Sequence, residues 1–282
     1  MTVGRLALQF SLDKPTSTTR LRIKAQEPPL RVVRAFAAPD GAALVHLHNL
    51  SGGVLGGDRL ATEVSVGAGA RVQLTTTGAT RLYRRRAGAG AAQQTTRLVV
   101  GAGALLEYLP DLVIPYAGAY YRQQTVVELE PGAGLFYWEV VAPGRTARGE
   151  WVAYEQVRID LDLLVAGRPL LLERLALQPA QQPLNSPLRL GPFFYFASFY
   201  IAKVGVAANI WADLETSLAD LAESHSVRGE ILLGVSALSA HGLFVRAAAR
   251  SAEPINAALI DFWQHAKQKL YGAEAIFPRK IN

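Results

Sequence analysis

The sequence predicts a mainly β protein, a β-helix or solenoid of stacked sheets with two α-helices in its C-terminal part. Three observations support this fold class. Glycine turns recur about every 31 to 34 residues, and each joins two runs of strand-forming residues. Hydrophobic residues make up 50% of the 282 positions, enough for one large core. Apolar residues at helical spacing occur toward the C-terminal end. We therefore expect a single domain over residues 1–282.

A glycine-rich segment at residues 51–60 joins two alternating, strand-like runs. It contains four glycines and then an aspartate: Gly52, Gly53, Gly56, Gly57 and Asp58. Glycine tolerates backbone conformations that side chains forbid, so the simplest interpretation is a bulged turn. A phosphate-binding Walker loop does not fit, because Asp58 and Arg59 stand where a lysine and a hydroxyl residue are required. The glycine spacing also excludes the dinucleotide-binding pattern.

The repeat is clearest in one nine-residue segment. Residues 64–72 reappear as residues 98–106 and, more loosely, as residues 128–136, each centred on a glycine turn. One such unit alone cannot bury both faces of its strands. Neighbouring units are therefore expected to stack.

Polar residues within this repeat region are candidates for a functional interior. The threonines at 75–77 suit a strand, and their hydroxyl groups form either a ladder against a neighbour or a polar path near Asp58. Glu107 and Asp111 bracket a proline bend. Glu139 stands among aromatic and branched residues, where a charge is costly unless it is paired. We expect Arg145 or Arg148 to pair it, and we leave open whether Glu139 is structural or functional.

The C-terminal part combines an apolar stretch with two helical patterns. Residues 192–211 are almost all apolar but are interrupted by Lys203, which favours a buried strand pair, or an apolar surface for a partner, over a membrane span. Helices are expected near residues 209–223 and 255–271. The second helix can dock on its own sheet or on a partner.

Charge and composition exclude several classes of function. The net charge is +6, but the basic residues are scattered except around Arg81 and residues 84–86, without the interleaved aromatics of a nucleic-acid surface. The absence of cysteine excludes disulfides and thiolate metal sites. The first residues lack a signal-peptide pattern, so we expect a cytoplasmic protein with no nucleic-acid or membrane partner.

Several short motifs follow one another along the chain, at residues 52–60, 75–79, 83–84, 106–110, 144–145, 149–150, 173–174 and 242–247. Taken together and in this order, they resemble the UreD family of urease accessory proteins, called UreH in some organisms. The resemblance covers nearly the whole chain, and the glycine and threonine segments are its most specific parts. Two positions depart from the family pattern: Thr77 stands where a proline is usual, and Tyr108 where a tryptophan is frequent.

The resemblance implies a scaffold rather than an enzyme, with a β-helical body and two helices. Proteins of this family act on apo-urease with UreF, and with the GTPase UreG through UreF, and help to deliver nickel to the carbamylated-lysine site. An internal, water-filled tunnel is proposed for them. The resemblance therefore implies no tightly bound cofactor and a transient Ni²⁺ cargo.

Oxygen ligands that release a cation suit such a transfer better than thiolates do. Asp58 is our strongest candidate for the nickel path, and the full set is Asp58, Glu63, Glu107, Asp111, Glu139 and Glu150. We expect Thr75 and Thr77 to line the tunnel and Arg145 to orient a carboxylate. His46 and His48 share a strand face and form either a chelating or an ordinary solvated or core pair.

A partner surface is expected on the second helix, at Leu259, Phe262 and Trp263. Two other functions remain open at this stage. One is a secreted-type β-solenoid enzyme that acts on carbohydrate with paired carboxylates. The other is a generic interaction scaffold without a metal role.

Overall fold

The computed structural model describes residues 1–186 and 189–277. Its strands, in chain order, are β1 (Val3–Asp13), β2 (Thr18–Glu27), β3 (Leu30–Arg31), β4 (Ala35–Ala37), β5 (Ala43–Asn49), β6 (Arg59–Val66), β7 (Arg71–Thr76), β8 (Thr80–Leu82), β9 (Ala92–Val100), β10 (Leu105–Tyr108), β11 (Val113–Pro115), β12 (Tyr120–Leu129), β13 (Gly134–Val141), β14 (Gln156–Val165), β15 (Arg168–Leu177), β16 (Tyr195–Lys203), β17 (Ile231–Ala237) and β18 (Gly242–Ala249). The helices are α1 (Ala208–His225) and α2 (Ala252–Tyr271), with a short 3₁₀ turn at Thr146–Arg148.

The strands form two sheets that pack face to face around a shared apolar core. The first sheet has the order β15-β14-β12-β9-β6-β1-β2, and the second has the order β17-β18-β16-β13-β10-β7-β5-β3 with β4, β8 and β11 attached beside that path. From β5 to β14 the long strands alternate between the two sheets. Within each sheet, each of these strands pairs in parallel with the next one that the chain adds to the same sheet. A mainly β fold is therefore confirmed.

The sequence repeat coincides with strand register in its first two copies. Val64 lies opposite Leu98, as the repeat predicts. The third copy is displaced by one residue, because Glu128 lies opposite Val99 rather than Leu98. The turn geometry explains the displacement: each turn has one glycine at positive φ, at Gly69, Gly103 and Gly132, and this glycine fixes the alignment.

Both predicted helices are present, each a few residues longer than expected. Helix α1 buries Leu214 and Leu218 at helical spacing, and α2 ends at Gly272, which has φ 60° in the left-handed region. The apolar stretch at residues 192–211 contains one strand, β16, rather than the expected strand pair. This strand is buried between β13 and β18. No helix in the described ranges combines the length and apolar character needed to cross a bilayer.

The second sheet is covered on both faces, so neighbouring residues of its strands enter different environments. On β10, Leu105 packs under the helices and Leu106 packs between the sheets. On β13, Phe136 and Tyr137 divide in the same way. Because side chains alternate along a strand, polar residues two positions apart share one face, and this alternation decides where the acidic side chains lie.

Candidate functional site

The glycine-rich segment is held by Asp58, whose side chain is 3% exposed. Asp58 Oδ1 accepts a hydrogen bond from the backbone N–H of Thr2 at 2.7 Å, and Oδ2 accepts one from the N–H of Leu55 at 3.0 Å. The carboxylate therefore closes the turn on itself and fastens the start of β1 to it. Gly53 must be glycine, since a Cβ there would lie 2.6 Å from the carbonyl oxygen of Arg81.

Thr77 lies beside this turn. With Gly52 and Gly53 it lines a cavity of about 220 Å³ that also includes Thr76 and Arg81. The two most specific segments of the sequence, the glycine turn and the threonine run, therefore meet at one end of the sandwich.

Thr75 and Asp111 lie further from the glycine turn than Thr77 does, near helix α2. The hydroxyl of Thr75 donates to the carbonyl oxygen of Leu109 at 2.7 Å. The hydroxyl of Thr76 donates to Asp111 Oδ2 at 2.9 Å and accepts from the Asp111 N–H at 2.8 Å. Thr75 and Asp111 also line a cavity of about 370 Å³ that reaches Trp138 and Trp263.

Glu107 is buried under helix α2, where one cation and one indole N–H contact it. Its carboxylate accepts from Trp263 Nε1 at 2.8 Å and from Lys267 Nζ at 3.1 Å, and the side chain of Lys267 is only 3% exposed. Burial raises the pKa of Glu107, and the charge of Lys267 acts in the opposite direction. This ion pair holds α2 against the sheet.

The same helix carries the three residues expected to face a partner. Leu259, Phe262 and Trp263 are instead buried, at 2% exposure or less, against the outer face of the second sheet. The apolar face of α2 docks on its own sheet because that sheet would otherwise expose an apolar surface of its own. An exposed partner surface at these three side chains is therefore corrected to an internal contact.

Arg145 and Glu150 form an ion pair beyond the end of β13. Arg145 Nε lies 2.8 Å from Glu150 Oε2, and the guanidinium sits 4.1 Å from the centre of the Tyr116 ring. Hydrogen bonding to Arg145 lowers the pKa of Glu150. The expected pairing of Arg145 with Glu139 is wrong, because the local turn brings Glu150, five residues away, to the guanidinium first.

Glu63 lies on the outer surface of the first sheet. It pairs with Arg5 of the neighbouring strand β1 at 3.2 Å, and about half of each side chain is exposed. The structure thus places this carboxylate away from the interior.

Glu139 occupies a polar cluster between the two sheets. The hydroxyl of Tyr137 and the amide Nε2 of Gln123 both donate to Glu139 Oε1. The Tyr121 hydroxyl lies 2.9 Å from Gln123 Oε1 and extends the network across the first sheet. Tyr108 stacks on Tyr137 with ring centres 5.1 Å apart. Neutral groups therefore supply the contacts that this carboxylate makes among the described residues.

A second carboxylate lies near this cluster. Glu173 on β15 accepts a hydrogen bond from the Tyr200 hydroxyl, and Arg246 Nη2 of β18 lies 2.6 Å from its Oε1. The pair joins the first sheet to the second. Arg246 is nearly half exposed, so the cluster reaches the surface here.

The surroundings of Glu139 raise its pKa to about 7. Burial is the main cause, and the nearby charge of Glu173 adds to it, whereas the hydrogen bonds from Tyr137 and Gln123 and the charge of Arg246 lower it. The raised pKa brings the titration of Glu139 close to neutral pH.

The structure does not bring the six candidate carboxylates together. Among the described residues, no group of three or more His, Asp or Glu side chains is arranged to hold a metal ion. Sequence reasoning gave no role to five residues that contact or approach these carboxylates: Tyr121, Gln123, Glu173, Arg246 and Lys267. For four of them a signal existed, because Glu173 and Arg246 lie within the short motifs at residues 173–174 and 242–247, and Tyr121 and Gln123 are two apart on a strand and share a face with Thr125.

Comparisons with known proteins agree along the whole chain. The family model described as "UreD urease accessory protein" matches residues 2–282. A urease accessory protein UreD of Herpetosiphon aurantiacus is 46% identical over 99% of this chain and 96% of the relative. Relatives with the same name from Pseudomonas fluorescens and Actinomyces naeslundii are each 34% identical, over 98% and 99% of this chain and 94% and 99% of their own lengths.

Matches of this extent define the class: the chain is a urease accessory protein. Within that class, it belongs to the UreD family. The resemblance of the short motifs is confirmed.

Proposed function

We propose that this chain is a non-catalytic scaffold of urease maturation that binds apo-urease and UreF, reaches UreG through UreF, and helps to pass nickel into the urease active site. Nickel is a cargo in this proposal, and no tightly bound cofactor is required. The names of the relatives support the accessory role over a carbohydrate-active enzyme. We place this activity in the cytoplasm.

The observation that carries the nickel role is the environment of Glu139. A carboxylate between the sheets, contacted by neutral donors and near a second carboxylate, Glu173, offers oxygen atoms to a cation without a permanent competing charge in contact. Gln123 supplies a further amide oxygen nearby. A divalent cation bound by such hard, neutral or singly charged groups is released more readily than from thiolates.

The other five carboxylates stay in the proposal with weaker support. Asp58 is satisfied by backbone N–H groups, Glu107 by Lys267 and Glu150 by Arg145, and each would have to give up these contacts to bind a cation. Asp111 borders a cavity and Glu63 faces outward. We therefore propose Glu139 as the best-supported of the six carboxylates on the nickel path.

We further propose that the alternating strands form a short β-solenoid that encloses this path. The parallel pairing of β6 with β9 and of β7 with β10 supports it, because each pair repeats the same strand one coil later.

Activation of urease in cells that lack their own UreD tests the nickel role. Glu139→Gln keeps the shape and hydrogen bonding but removes the charge, and we expect urease activity and the nickel content of the recovered enzyme to fall together while apo-urease and UreF still co-purify. Glu27→Gln, at an exposed carboxylate outside the candidate set, is the matched control and should activate normally. Full activation by Glu139→Gln would remove Glu139 from the path. If co-purification is kept for every carboxylate variant and nickel content never changes, the chain is a scaffold without a metal role.

A further inference from the structure

The arginine run at residues 84–86 is the one charged motif of the sequence that the nickel role does not use. Its backbone is fixed against the start of strand β12. The N–H of Arg85 donates to the carbonyl of Gly118 at 3.0 Å, and Arg84 forms an isolated antiparallel bridge with Ala119. The run is therefore part of the folded body, at the end of the first sheet where β12 begins.

Strand register brings three more arginines to this end of the first sheet. Arg122 on β12 lies directly opposite Arg158 on β14, and Gln93 on β9 separates Arg122 from Arg59 on β6. The next residue along each of these strands is buried, and side chains alternate between the two faces of a strand, so this row faces outward. We call the six arginines that meet here the basic end: Arg59, Arg84, Arg85, Arg86, Arg122 and Arg158.

Most charges of the basic end have no counter-charge. Arg85 pairs with Glu155 at 2.8 Å, and Arg158 pairs with Asp160 at 2.8 Å. Within the part of the chain that the structure describes, the other four arginines form no ion pair. Six arginines against two carboxylates leave a surplus of four positive charges, which creates a positive field over this surface.

The placement of Arg122 opposite Arg158 does not help the fold. Like charges directly opposite each other on neighbouring strands destabilise a sheet. Elsewhere in the first sheet arginines meet carboxylates of a neighbouring strand, as Arg5 meets Glu63. An unfavourable pair within a surplus of positive charge indicates an anionic partner outside the chain.

The geometry of the basic end favours a protein as that partner. Arg59 and Arg122 are two strands apart, about 10 Å between their Cα atoms, which suits an extended surface better than one small anion. Single-stranded nucleic acid would need an uncovered aromatic ring for stacking. The ring of Tyr120 is instead covered by the guanidinium groups of Arg85 and Arg122, at 5.2 and 6.0 Å from its centre. Guanidinium groups match the shape of carboxylates, so acidic side chains of a protein fit this surface.

From this arrangement we propose that the basic end is a docking surface for the acidic face of a protein partner in urease maturation. The inference rests on the proposed function, which supplies the two proteins to be tested, apo-urease and UreF. It uses none of the carboxylates on the nickel path, so docking and nickel transfer can be separated by mutation.

Binding of the purified chain to immobilised apo-urease and, separately, to immobilised UreF tests the proposal. For one of these proteins we expect the affinity of the wild type to fall as salt is raised, because salt screens exposed charges. Arg59→Glu combined with Arg122→Glu should weaken that binding by about tenfold and flatten its salt dependence. Arg122→Lys keeps the charge and should bind nearly as the wild type does.

The matched control makes the same change of net charge elsewhere. Arg228→Glu combined with Arg250→Glu reverses two exposed arginines that lie outside the basic end. This control should keep the affinity of the wild type for both proteins.

Thermal unfolding separates a loss of docking from a loss of folding. Arg122→Glu replaces the like-charge pair with a carboxylate opposite Arg158, so its melting temperature should equal or exceed that of the wild type. Weaker binding by a variant of equal or higher stability is the result that a purely structural arginine would not give.

Unchanged binding of both proteins by the Arg59→Glu, Arg122→Glu variant would overturn this inference alone. An equal loss in the control pair would overturn it as well, since net charge rather than the basic end would then be responsible. Binding of single-stranded DNA that this variant loses, with no effect on either protein, would assign the surface to nucleic acid instead. A wild-type chain that binds neither apo-urease nor UreF would overturn the proposed function together with this inference.

Discussion

Glu107 and Glu139 lie on opposite faces of the same sheet, and the protein accommodates these two carboxylates in different ways. Glu107, under α2, meets the ammonium of Lys267 and the indole N–H of Trp263. Glu139, between the sheets, meets an amide and a phenol. A cation in contact opposes the rise in pKa that burial causes at Glu107, whereas Glu139 relies on neutral dipoles. The comparison indicates that the ion pair on the helix side anchors α2, whereas the carboxylate between the sheets has a pKa near neutral pH.

Removal of the cation on the helix side should have the largest effect. Lys267→Met leaves Glu107 buried without its partner, and we expect a loss of about 3–5 kcal/mol in the free energy of unfolding. Denaturant unfolding measures it. Lys267→Met combined with Glu107→Gln should recover most of the loss, because no unpaired charge remains. A double variant as unstable as the single one would show that packing, rather than charge pairing, holds α2.

The carboxylate between the sheets should make the stability of the protein depend on pH. In the folded protein Glu139 has a pKa of about 7 against an ordinary 4.5, so the folded state binds the proton more tightly than the unfolded state does. Stability should therefore fall as the pH rises from about 4.5 to about 7, by up to about 3 kcal/mol. Glu139→Gln should remove this dependence, and unfolding at about pH 5 and about pH 8 compares the two proteins. Equal slopes for wild type and variant would contradict the assignment.

Asp58 is a third buried carboxylate, and it differs from the other two because it accepts hydrogen bonds from backbone N–H groups alone. Asp58→Ala leaves two such groups without an acceptor, and we expect a loss of about 1–3 kcal/mol. Asp58→Asn keeps one acceptor oxygen and should lose less. If Asp58→Ala lowers urease activation at unchanged thermal stability, Asp58 belongs with Glu139 on the nickel path.

Local patterns predicted the elements of this fold well. The helical spacing of Leu214 and Leu218 located α1, and the first repeat aligned Val64 with Leu98 as the sheet does. The third repeat was misaligned because two glycines, Gly132 and Gly134, compete for the single turn position that needs positive φ. Sequence alone does not say which of them takes it.

The candidate site was harder to predict because it depends on contacts between distant strands. Glu139 was recognised as a carboxylate in an apolar setting, but its contacts come from Gln123 on another strand and from Tyr137 on its own. The sequence predicts Arg145 as its partner, whereas in the structure a nearer carboxylate, Glu150, pairs with the arginine. The sequence predicts an apolar stripe at Leu259 and Phe262 whether the helix docks on its own sheet or on a partner. Only the position of the sheet in the structure shows which of the two covers the stripe.

The docking of α2 has a consequence for synthesis on the ribosome. Strands β10, β13, β16 and β18 precede α2 in the chain, so their outer face emerges before the residues that shield it. During that interval Glu107 has no counter-charge and a broad apolar surface faces water, which favours engagement by chaperones. The outer face of the second sheet is therefore covered only after the segment ending at Tyr271 has left the ribosomal exit tunnel.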